Sequence, residues 1–141
     1  IQWLFPLPEP SRFNPDAPLL TQADIKAFGE DPVLHHNLRR SLVRFLAFLG
    51  LRFNQQGQVE EGPQFADRAR EVLAFPNHNW LRVTRLLRSC GLLGLGREGL
   101  ALFAWLDLQY QRRRWPIPAD TFQFWREAAV DTKYKEDKKK V

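Results

Sequence analysis

Three arginines recur at every third position in the stretch HNWLRVTRLLRSCG, residues 78–91: Arg82, Arg85 and Arg88. A guanidinium is a planar fork of N–H donors, so such a strip could grip carboxylates or phosphates in a bidentate manner. At about 100° per residue, Trp80, Val83, Leu86, Leu87 and Cys90 fall on one side of a helix. The arginines point the other way, with Leu81 among them. The same pattern describes the solvent side of an ordinary amphipathic helix, because arginine is exposed by default. Both readings stand at this level. The start of the helix offers a second feature, with Trp80 beside His78 and Asn79. An aromatic wall next to unpaired backbone N–H donors would suit a peptide carboxylate or a phosphate.

Other chemistries find little to work with. His35 and His36 are adjacent, so on a helix they diverge and cannot share an ion. No Cys, Asp or Glu stands at ligand spacing from His78, and Cys90 on an apolar helix face reads as core. Serine occurs at Ser11, Ser41 and Ser89, none of them in a nucleophile elbow. The GLLGLG stretch at 91–96 has the wrong order for a nucleotide fingerprint and follows a helix rather than a strand, so it reads as a helix cap and turn. Glu60 and Glu61 lie in a polar loop. The expectation is a chain with no metal, no cofactor and no catalytic residues.

Charge and composition set the wider bounds. The chain has 141 residues and a formal charge of +5, with 44% hydrophobic residues, five tryptophans and eleven phenylalanines. That suits a single domain with a packed core and argues against wholesale disorder. Basic charge clusters by segment. Residues 35–52 hold four arginines and no acid, QRRRW at 111–115 adds three more, and residues 1–34 are net acidic. A positive face would form if those segments lay side by side. A single cysteine excludes an internal disulfide framework and fits a reducing compartment. The longest apolar run, FLAFLGL at 45–51, falls far short of the roughly 20 residues that a membrane span needs. IQWLFPLPEP has neither a basic start nor a cleavage site, so no signal peptide is expected. These features predict a soluble, intracellular protein.

The elements that must position the arginines are helices. Residues 1–20 carry Pro6, Pro8, Pro10, Pro15 and Pro18, which predicts a Pro-rich extended lead-in. Its Trp3, Leu4, Phe5 and Leu7 are too apolar for a free tail and should lie across the helices. Thr21 and Asp24 predict a capping box, flanked by a Leu20–Ile25 staple. Asp31–Pro32 predicts the start of the next helix, with Leu34, Leu38, Leu42, Phe45, Leu46 and Leu49 on one side and Gly50 as its stop. LRFNQQGQVEEGP, residues 51–63, is predicted to be a loop or a minor hairpin. Further helices are expected from Pro63 to about Phe75, from a cap at Asn77 or Asn79 to Gly91, and from 97 to about 113. WPIP at 115–118 breaks the chain, and Asp120 should cap a last helix carrying Phe122, Trp125 and Ala129. The predicted class is all-α, a single-domain bundle of about six helices over residues 1–130. Residues 131–141, rich in lysine, are predicted to be a disordered tail.

IQWLFPL at 1–7 together with HNWLRVTRLLRSCGLLG at 78–94 resembles the conserved region of the opioid growth factor receptor family. The intervening FLAFLGL and the later WPIP sit in the expected order, so the resemblance extends over residues 1–130. Family members carry a His and a Tyr just ahead of the first motif, and this chain begins inside that motif at Ile1. The resemblance implies a soluble protein unrelated in fold to seven-helix opioid receptors. It implies no catalytic residues. Animal members are described as binding a short enkephalin peptide, associating with the nucleus and restraining growth, whereas domain-only relatives elsewhere have no settled role. Positions matching the motifs are Gln2, Trp3 and Phe5 in the first, and His78, Asn79, Arg82 and Arg85 in the second.

Two function classes follow. The first is a receptor-like module binding a peptide or protein partner through Trp3, Phe5, His78, Asn79, Trp80, Arg82, Arg85 and Arg88. The second is a nucleic-acid-binding helical domain using the clustered arginines, whose affinity would fall steeply with salt.

Overall fold

The computed structural model describes residues 4–10, 14–72 and 79–131. Residues 132–141 of the expected tail and the lead-in residue Trp3 lie outside them, as do Asn77 and His78, whereas Asp131 ends a helical turn. Six α-helices and one small sheet occur among the described residues.

Helix α1 (Gln22–Glu30) opens with the capping box. Asp24 N donates to Thr21 Oγ1 at 3.1 Å, and Thr21 N donates to Asp24 Oδ2 at 2.9 Å. Two orphan donors are thereby satisfied reciprocally. Asp31 then serves two helices. Its N–H closes α1 on Ala27 O at 2.8 Å, and its Oδ1 accepts from Val33 N at 2.8 Å to start α2 (Pro32–Phe48). Leu38, Leu42 and Leu46 form the buried stripe of α2. Gly50, with φ +81°, turns the chain away. Only glycine serves there, because a Cβ would lie 2.7 Å from the Phe65 Cα.

A hairpin follows and corrects the all-α expectation. Strand β1 (Leu51–Phe53) pairs antiparallel with β2 (Val59–Glu61), Leu51 opposite Glu61 and Phe53 opposite Val59. Each strand has three residues, too few to show a period of two. The hairpin is stabilised by turn chemistry and tertiary contact. Asn54 Oδ1 accepts from Gln56 N at 2.9 Å and Gln58 N at 3.0 Å, an Asx-type turn. Arg52 Nε meets Glu60 Oε1 at 2.8 Å directly across the ladder. Leu51 and Val59 are buried, and the hairpin bridges α2 and α5.

Helix α3 (Phe65–Val72) begins two residues later than Pro63 suggested. Its Phe65 sits edge-on to Trp105 and Trp115, at 5.6 and 5.8 Å. Arg68 donates from Nε to Phe48 O at 2.9 Å, satisfying a carbonyl at the end of α2.

Helices α4 (Asn79–Leu92) and α5 (Gly96–Gln111) form the centre of the fold. Helix α4 does not stop at Gly91, which is buried inside its last turn. The left-handed residue is Gly94, φ +91°, and Leu95 N donates back to Cys90 O at 2.8 Å. That is a Schellman closure. It wins because Leu93 and Leu95 on either side are fully buried.

Helix α6 (Ala119–Arg126) has Pro118 at its cap, so Asp120 lies in the first turn rather than at the cap; its carboxylate accepts from Thr121 N. A π-helical turn, Glu127–Asp131, continues α6 and packs with it on α4 and α5. Phe122, Trp125, Ala128 and Ala129 are all buried there.

Candidate functional site

The inner face of α4 is as its spacing predicts: Trp80, Val83, Leu86, Leu87 and Cys90 are buried. Its first turn is anchored from α6, where the fully buried Trp125 donates its indole Nε1–H to Trp80 O at 3.0 Å. Burial and the charge of Glu98 push the Cys90 thiol up to about 12, so it is an inert core group at neutral pH.

The outer face is not simply wet. Residues 4–10 carry no helix or strand, and residues 5–9 of this segment lie against α4. Pro6 and Pro8 have no N–H and cannot build a ladder, so the carbonyls around them need side-chain or remote donors. Helix α4 supplies two. Arg85 Nε donates to Phe5 O at 2.8 Å, and Ser89 Oγ donates to Pro6 O at 3.0 Å. Leu20 N takes the next carbonyl, Leu7 O, at 3.0 Å. Arg88 Nη2 pairs with the Glu9 carboxylate. Positions 85, 88 and 89 can act together because residues three and four apart share a helix face.

The electrostatics follow from this packing. Half-burial pushes the Arg85 guanidinium down from its ordinary value, and the nearby Glu9 carboxylate pulls it back up. Arg85 remains a cation, as arginine does in proteins. Arg82 is exposed and donates from Nη1 to Asn79 Oδ1 at 3.0 Å.

The expected site residues therefore divide. Arg85, Arg88 and Phe5 are brought together, with the Phe5 ring fully buried and edge-on to Phe45 of α2 at 6.2 Å. Asn79 and Trp80 are buried at the start of α4. Trp3 and His78 lie outside the described residues. Two contributors were not singled out from the sequence, Ser89 and Glu9. Both left a signal: Ser89 stands one turn beyond Arg85, and Glu9 is the one acid in residues 1–15. In each of the other basic segments an arginine is engaged by an acid from elsewhere in the fold. Arg39 approaches Glu98 at 4.0 Å and covers the Phe53 ring, and Arg114 pairs with Glu61. No group of three potential metal ligands occurs among the described residues.

The two stretches that meet at this contact are also the two that resemble a known family, and residues 1–111 match the model of the opioid growth factor receptor conserved region. The chain belongs to that family. The human opioid growth factor receptor is 38% identical over 96 residues, which is 67% of this chain and 14% of the relative. The mouse receptor is 37% identical over 97 residues, 67% of this chain and 15% of the relative. Opioid growth factor receptor-like protein 1 from Xenopus tropicalis is 36% identical over 98 residues, 67% of this chain and 18% of the relative. The matched region thus spans less than a fifth of each of these relatives. No solved structure matches the chain. The family match ends at Gln111, the last residue of α5, so α6 and its π-helical turn lie beyond it. No helix among the described residues is long and apolar enough to cross a membrane.

Proposed function

We propose that this chain is a non-enzymatic, intracellular binding module that takes a peptide or protein segment on the surface where residues 4–9 cross α4. One observation carries the reading: α4 already holds a proline-bearing stretch of the chain through main-chain carbonyls and one carboxylate. A helix face with donors for the carbonyls of irregular chain is equipped to take a further segment laid beside the first. Leu4 and Leu81 are each 57% exposed, and Arg82 is exposed one turn before Arg85. Together they offer apolar contact area and a cation next to the held segment. The relatives' name, opioid growth factor receptor, supports a peptide as the ligand class. The single cysteine, with its buried thiol, supports a reducing compartment.

The test is fluorescence anisotropy with a labelled enkephalin peptide, using Leu81→Ser and Arg82→Glu. Both side chains are exposed, so the variants should keep the wild-type circular dichroism and melting temperature. Saturable binding that persists at moderate salt should weaken by about tenfold or more in each variant, a loss of ~1.4 kcal/mol. Undiminished affinity in both folded variants overturns the reading.

A further inference from the structure

A different part of the molecule carries an inference that does not rest on the α4 surface. Helix α5 ends in a second Schellman closure, in which Arg114 N donates to Gln109 O at 3.2 Å and Arg113 N to Tyr110 O at 3.0 Å. The left-handed position of that closure is normally glycine. Here it is Arg113, with φ +51°, the one non-glycine residue in this region of conformation among those described. A side chain retained where glycine would remove the strain points to a use for that side chain.

The surroundings indicate the use. Tyr110, Gln111, Arg113, Trp115, Pro116 and Ile117 line an open recess of about 630 Å³. Arg114 also lines the recess and fixes the loop. It pairs with Glu61, donates to the buried Gln109 Oε1 at 3.1 Å, and lies over the rings of Phe65 and Trp115 at 5.1 and 4.7 Å. Pro116 and Pro118 stiffen the chain beyond, and Ile117 N closes a tight turn on Trp115 O at 2.8 Å. Tyr110 is held by parallel stacking on Phe122 at 4.0 Å. The recess is therefore preorganised, which lowers the cost of binding. Glu61 is spent on Arg114, and neither Arg112 nor Arg113 has a carboxylate partner among the described residues. The exposed Arg113 guanidinium thus lines an aromatic recess, and the exposed Arg112 directly precedes it in the chain.

We propose that this loop binds an acidic peptide segment, with its carboxylates on Arg112 and Arg113 and an apolar side chain in the recess against Trp115. Arginine clusters recognise acidic motifs by charge-assisted, bidentate hydrogen bonds, and the aromatic recess adds an apolar anchor that a purely phosphate-reading surface does not need. Arg112 to Ile117 lie beyond the stretch matched by the family, while Tyr110 and Gln111 of the lining stand at its end.

The experiment is anisotropy on the full chain with a fluorescein-labelled peptide of alternating Glu and Leu, its Gln-for-Glu counterpart, and a labelled single-stranded oligonucleotide. The decisive variant is Arg113→Gly, which keeps the backbone turn and should melt at or above the wild-type temperature. The Glu peptide should bind saturably, the Gln peptide at least about tenfold more weakly. Arg113→Gly and Arg112→Gln should each weaken Glu-peptide binding several-fold, and the two together should abolish it. Full affinity in Arg113→Gly, as binding on the lysine-rich tail would give, overturns the proposal. So does equal binding of the Gln peptide, or tighter Arg113-dependent binding of the oligonucleotide.

Discussion

Arg85 and Arg88 are one helical turn apart and look alike in the sequence, yet their contacts differ in kind. Arg85 donates to the carbonyl of a residue with no exposed surface, whereas Arg88 pairs with a half-exposed carboxylate. Removing the first donor strands a buried acceptor. Arg85→Ala should therefore cost about 1–3 kcal/mol, and Ser89→Ala about 1 kcal/mol. Arg88→Ala should cost at most about 1 kcal/mol, shrinking as salt is raised. Urea denaturation at low and high salt measures all three, and a larger loss for Arg88→Ala than for Arg85→Ala would contradict this ordering. The spacing of these residues was readable in advance. Which of them faces the chain itself was not, because the acceptors lie about eighty positions away (79 to 83 in the three contacts).

At the scale of elements, three left-handed helix ends carry different constraints. Gly50 combines a positive φ with the Phe65 backbone at 2.7 Å from any Cβ. Gly94 has the same kind of φ with only a side-chain atom of His35 nearby, at 3.7 Å. Arg113 already carries a side chain in that conformation. Gly94→Ala should thus lose about 1 kcal/mol from strain alone, and Gly50→Ala clearly more, about 2–4 kcal/mol, since the hairpin and α3 must also shift. Arg113→Gly should gain up to about 1 kcal/mol. Thermal melts of the three variants check the order. The element boundaries show the same division. The Thr21–Asp24 and Asp31–Pro32 signals were legible because each cap is complete within four residues. The choice between Gly91 and Gly94 as the stop of α4 was not, because it turned on burying Leu93 and Leu95.

For the whole molecule, the N-terminal segment is structural rather than appended. The Phe5 ring is wholly buried and packs edge-on to Phe45 of α2, while the Phe5 carbonyl takes the Arg85 donor of α4. Residues 5–9 thus tie α2 to α4. Phe5→Ala should cost about 3–5 kcal/mol, as for other buried aromatics. Deleting residues 1–9 should lower the melting temperature at least as far and broaden the amide spectrum of α4. A truncated chain that melts like the full one would show the segment to be dispensable.

By itself the sequence determined much of what depends on near neighbours: the starts of α1 and α2, the buried stripes of α2 and α4, and the family signature. It left open what the polar face of α4 meets, since an arginine facing water and an arginine facing a remote carbonyl occupy the same position on a helical wheel. Only the tertiary structure decided that. It laid a segment with two missing N–H groups against a helix whose side chains could satisfy the carbonyls left over.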